Sequence, residues 1–181
     1  SLYILVLFSL ALTFRVNAQQ VPITSQYLTN GLVINPAYAG TREALSANLS
    51  YRKQWARISG APQFQTLSLH SPVNKKEKVS LGLMADYLTY GVTKDIGIYA
   101  FYSYSVRVGK GRLSMGMKGG FDLSNTNYNK LQFPDGNPAD PLLSGDMKYT
   151  LPNMGLGFYY YTDKYFAGLS VPSILTYRRD E

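Results

Sequence analysis

The strongest constraint on this chain is an alternation of apolar and polar side chains, with a period of two, in segments longer than soluble sheets normally use. The clearest runs from Asp95 to Val108. Ile96, Ile98, Ala100, Tyr102, Tyr104, Val106 and Val108 face away from Asp95, Gly97, Ser103, Ser105 and Arg107. Successive strand side chains point to opposite faces, so such a segment has one apolar and one polar side. A soluble strand usually has about five or six residues, whereas a tilted outer-membrane span needs about 9 to 11. Six further segments alternate: Leu45–Arg52, Leu67–His70, Val79–Tyr87, Leu113–Leu123, Met154–Tyr161 and Tyr165–Val171. No stretch of comparable length reads as a helix. The expected fold is all-β, an antiparallel transmembrane β-barrel of outer-membrane type with about seven strands present.

Composition supports this reading. Tyr and Gly each occur 16 times, and charged residues make up 16%, well below the soluble average of about 25%. Cysteine is absent, so no thiolate chemistry or disulfide framework enters.

Residues 1–18 read as a signal peptide. The apolar run Leu2–Phe14 is too short to cross a bilayer and is followed by the small-residue pattern Val16-Asn17-Ala18, with cleavage expected after Ala18. No basic start precedes the apolar run, so a clipped beginning is expected. Residues 19–43 form an amino-terminal irregular segment without a sustained period, and residues 44–181 form the strand region. Export leaves no nucleic-acid partner despite the net charge of +7.

Connection lengths give an orientation. Short polar links are expected at Asn74–Glu77, Gly109–Gly111 and Thr162–Lys164, and longer ones after the first, third and fifth strands, the last from Asn125 to Asn153. Outer-membrane barrels have short periplasmic turns and long outer loops. Lys75, Lys76, Lys78, Lys110, Arg112 and Lys164 then form a basic periplasmic rim. Seven strands do not close a single-chain barrel of this type, which has an even number, so the segment reads as a fragment of a larger barrel.

Other candidate chemistry is weaker. His70, the single histidine, has no distinctive nucleophile and orienter beside it. Gly109-Lys110-Gly111-Arg112 lacks phosphate-loop spacing and reads as a hairpin turn. Asp135–Asp140 lacks the spacing of a calcium loop. No catalytic residue, cofactor or metal is expected. Gly82, Gly97, Gly116, Gly120, Gly155, Gly157 and Gly168 all fall on the polar face of their strands, with Gly119 the main exception. Such glycines either let a barrel wall bend or admit something close to it. The nearest candidate is residues 19–43, whose Ile23, Tyr27, Leu32, Ile34 and Tyr38 have no sheet face of their own in which to be buried.

One stretch carries a family resemblance. Asn35-Pro36-Ala37-Tyr38-Ala39-Gly40, then Tyr51-Arg52-Lys53-Gln54-Trp55, then Gly60-Ala61-Pro62 resembles the amino-terminal signature of the PorP/SprF family, outer-membrane proteins of the type IX secretion system. The resemblance implies a barrel of about fourteen strands, of which this chain would be the first half. It also implies a non-enzymatic role in secretion or surface attachment of cargo such as gliding adhesins. The implied partners are outer-membrane lipid, periplasmic secretion components and the cargo. Asn35, Pro36, Ala37, Tyr38, Gly40, Tyr51, Arg52, Gln54, Trp55, Gly60 and Pro62 would be structural or docking residues. A diffusion porin and, more remotely, an outer-membrane enzyme such as a lipase are the alternatives.

Overall fold

The computed structural model describes residues 30–55, 57–58, 60–73, 78–127 and 146–175. Within them the chain forms one antiparallel sheet whose seven strands lie side by side in sequence order. These are β1 (Ser46–Lys53), β2 (Gln63–Pro72), β3 (Val79–Tyr90), β4 (Thr93–Val108), β5 (Gly111–Asn127), β6 (Asp146–Tyr161) and β7 (Phe166–Val171). The order is a simple meander, and β3 to β6 have the length of membrane spans.

The alternation sets the two faces. Leu49, Leu67, Leu83, Ile98, Met117 and Leu156 stand exposed on one side, while Ser50, Ser68, Ser80, Ser103 and Ser114 are buried on the other. In water this would be inverted; with hydrocarbon as the outer solvent it is the favourable arrangement. The buried cluster, Leu32, Ala39, Met84, Tyr99 and Phe101, lies on the polar side. The principal core of the described residues is therefore inside the curved sheet, where the segment preceding β1 supplies Leu32 and Ala39.

Two expectations about connections are corrected. β3 and β4 are joined by the two-residue turn Gly91-Val92, with Tyr90 paired to Thr93, and not by a long loop. Leu88 and Tyr90 put apolar side chains on the polar face and hide the continuing strand, and Gly91 at φ +56° supplies the turn. β6 begins at Asp146, eight residues before the alternation of its second half becomes visible at Met154. Tyr149 and Leu151 face inward there, opposite Ser124 and Asp122, which reverses the pattern. Pro152 lies in the part of β6 that β7 does not reach, an edge position that tolerates a missing N–H. The β5–β6 link thus shrinks to residues 128–145, outside the described residues, as are the expected calcium-like stretch and the leader.

Candidate functional site: a strap across the inner wall

The site begins with two local turns. Gly31–Val33 and Pro36–Tyr38 are single 3-10 turns. Asn35 is the cap of the second: its Oδ1 accepts from the Ala37 N–H at 2.9 Å, and Pro36 stands at the first position, where no N–H is needed. Gly40, at φ +75°, ends the turn in the left-handed region that favours glycine. Thr41 N–H returns to Tyr38 O at 3.2 Å, and Glu43 N–H to Gly40 O at 3.0 Å.

These turns lie on one row of the sheet. Register pairs Ser80 with Ser103, Ser103 with Gly116, Gly116 with Gly157 and Gly157 with Ser170, so five small residues line up across β3 to β7. The strap Ile34–Gly40 follows that row in reverse order. Ser170 Oγ donates to Ile34 O at 2.7 Å. Asn35 sits over Gly157, the Pro36–Ala37 backbone over Gly116, and Gly40 against Ser80. Ser103 Oγ donates to Ala39 O at 2.8 Å. Strands are about 4.8 Å apart, so four spacings cover about 19 Å, and each strand meets one or two strap residues.

Side chains off the row complete the fit. Asn35 Nδ2 donates to Phe158 O at 2.9 Å, and a Cβ on Gly168 would lie 3.0 Å from that nitrogen. Gly40 N–H donates to His70 Nδ1 at 3.0 Å. Tyr38 packs edge-on against His70 and Tyr159, with ring centroids 5.8 and 5.7 Å away. Arg112 pairs with Glu43 at 2.6 Å. Upstream, Leu32 is 1% exposed among Met84, Tyr99 and Phe101. Ser68 Oγ donates to Asn30 Oδ1 at 3.1 Å. Burying one leucine contributes about 1.5 to 3 kcal/mol, and each neutral hydrogen bond about 0.5 to 1.5.

Three of the inner-wall glycines, Gly116, Gly157 and Gly168, thus lie beneath the strap. The other four make room within the wall: Gly82 for Phe101 and His70, Gly97 and Gly120 for Tyr99, Gly155 for the Pro172 carbonyl. Gly119 faces outward with open space. The remaining signature residues are elsewhere. Tyr51 and Trp55 are exposed, and Gln54 N–H closes the β1–β2 loop onto Pro62 O at 2.9 Å. Gly60 O in that loop accepts from Gly91 N–H at 2.9 Å, at the end of the sheet opposite the strap. The signature therefore marks two separate places. Of the basic rim, Lys110 and Lys164 lie in short turns and Lys78 just before β3, while Lys75 and Lys76 are outside the described residues. Arg112 turns inward to the strap instead of joining a free rim, because its strand phase matches Ser114 and Gly116.

Asn30, Ser68, His70, Ser103 and Ser170 were not predicted as strap contacts. A serine on the polar face of every strand but β6 gives no sign of which serine has a partner; only the register aligns Ser80, Ser103 and Ser170.

Toward the other end of the wall, Tyr99 Oη donates to Asp122, whose second oxygen accepts from Asn153 Nδ2 at 2.8 Å. Lys118 Nζ stands 4.3 Å over the Tyr99 ring. Among the described residues no group of carboxylates and imidazoles is arranged to hold a metal.

Compared with known families, residues 16–181 match the model described as type IX secretion system membrane protein PorP/SprF. No curated protein and no solved structure matches the chain.

Proposed function

Because the chain belongs to the PorP/SprF family of type IX secretion system membrane proteins, we propose that its strand region supports the secretion or surface attachment of cargo proteins, gliding adhesins among them, with the strap narrowing the lumen. The family is one of secretion-system membrane components and not of enzymes, and the all-β fold with its apolar outer face belongs in the outer membrane.

The observation that carries the reading is the strap. A diffusion porin needs an open polar lumen, whereas here Leu32, Pro36, Ala37 and Ala39 are buried against the inner wall. On this reading the end that carries the β2–β3, β4–β5 and β6–β7 connections faces the periplasm, where Lys78, Lys110 and Lys164 meet periplasmic secretion components through charge. The strap lies a few residues inside that mouth.

The test is made in the native outer membrane. Loss of the protein should remove a subset of secreted proteins from the cell surface and leave small-solute permeability unchanged. Normal secretion with reduced solute uptake would identify a porin instead. In planar bilayers, deletion of residues 19–40 from the full-length protein should raise conductance; equal conductance with both barrels intact contradicts the narrowing role.

A further inference from the structure

We propose that His70 is a proton-controlled latch: the neutral ring holds the strap on the inner wall, and the protonated ring releases its carboxyl-terminal end. The geometry fixes the chemistry. Gly40 N–H points at His70 Nδ1, 3.0 Å away, so that nitrogen must carry the lone pair and any proton on the neutral ring must be on Nε2. Both partners are buried. A proton added at Nδ1 sets two donors facing each other, and water has no easy access to satisfy either.

Among the described residues, the named neighbours of His70 bring the imidazolium no compensating negative charge. At the register positions beside His70 stand Ser46 of β1 and Gly82 of β3, neither of them charged. From the strap side come the Tyr38 ring, edge-on, and Arg42, whose positive charge opposes a second cation. Glu43, one residue beyond, is already paired with Arg112. Docking therefore favours the neutral ring. The contribution of this contact is complete well above the pH at which the undocked ring titrates, ordinarily near 6.5, and is lost as the pH falls below it. Gly40 is the hinge of the event, because it ends the strap and leads through Thr41–Glu43 into β1. The inference rests on the docked geometry alone and stands whether or not the strap narrows a secretion path.

Double electron–electron resonance on the full-length protein tests it, with nitroxides at Thr41, next to the latched end of the strap, and at Leu83 on the outer face of β3. The distance distribution should be narrow at pH 7.5 and broad at pH 5. His70→Asn, which keeps an acceptor near Nδ1 but does not titrate, should stay narrow at both values. His70→Leu, which has no acceptor, should be broad at both. Barrel integrity is checked by heat-modifiable gel mobility. An unchanged wild-type distribution at pH 5, a narrow distribution in His70→Leu, or pH-dependent broadening in His70→Asn would each overturn the latch.

Discussion

The side-chain amide of Asn35 donates to the backbone carbonyl of Phe158, 2.9 Å away and 123 positions later in the chain. One residue thereby caps a local turn with its oxygen and fastens that turn to β6 with its nitrogen. The two jobs can be separated. Asn35→Asp keeps the capping acceptor but aims a carboxylate at the carbonyls of Phe158 and Leu169. It should weaken strap docking by about 1 to 3 kcal/mol. Protease protection of the strap in detergent-solubilised protein measures this; undiminished protection would show that the nitrogen contact contributes nothing.

Gly116 and Gly119 are three residues apart on β5 and should respond oppositely to the same change. A side chain at Gly116 runs into the Pro36–Ala37 backbone, whereas Gly119 faces open space on the outer side. Gly116→Leu should displace the strap, and Gly119→Leu should leave it docked in a well-assembled barrel. The exposure of a cysteine placed at Ala37 reports the difference.

The two faces of the wall are distinguished by the strap itself. Leu83 is 61% exposed on the outer side and Ser103 is 0% exposed beneath the strap. A cysteine at either site should resist water-soluble maleimide, one in lipid and the other covered. After Gly116→Leu, Ser103→Cys should become reactive while Leu83→Cys stays protected. A lysine at Leu83 near the membrane midplane should cost about 2 to 4 kcal/mol.

Much of the architecture is legible in the sequence because lipid and lumen impose opposite polarity on alternate residues, so Ile96–Val108 or Val79–Tyr87 declare both strand and face. The pattern fails where the inner wall is itself apolar. Leu88, Tyr149 and Leu151 face inward and concealed the true extents of β3 and β6. The strap's place was hidden differently. Its inner-wall glycines were readable as a set, but Gly116, Gly157 and Gly168 differ from Gly82, Gly97, Gly120 and Gly155 only through pairing register, which no local pattern encodes. His70 likewise carries no local sign of its partner, a backbone N–H thirty residues away.

Glu43 holds a left-handed conformation, φ +55°, while its half-exposed carboxylate pairs with Arg112. The conformation costs a non-glycine residue about 1 to 2 kcal/mol, and a pair this exposed contributes about 0.2 to 1 kcal/mol. Glu43→Ala, which loses the pair and keeps the strain, should destabilise docking. Glu43→Gly, which loses both, should be neutral or mildly stabilising. Protease protection of the strap ranks the two, and a greater loss with glycine would contradict this assignment.

The central claim, that residues 34–40 lie along the inner wall of the barrel, is tested most directly by a disulfide between strap and strand. Ser103 Oγ meets the Ala39 carbonyl at 2.8 Å, and both residues are fully buried. In full-length protein carrying Ala39→Cys and Ser103→Cys, assembled in the outer membrane of intact cells, mild oxidation should join the two cysteines. Ala39→Cys with Leu83→Cys, on opposite faces of the wall, should not join. Failure of the first pair to cross-link, with both thiols open to water-soluble maleimide and the barrel intact by heat-modifiable mobility, would contradict the docked strap.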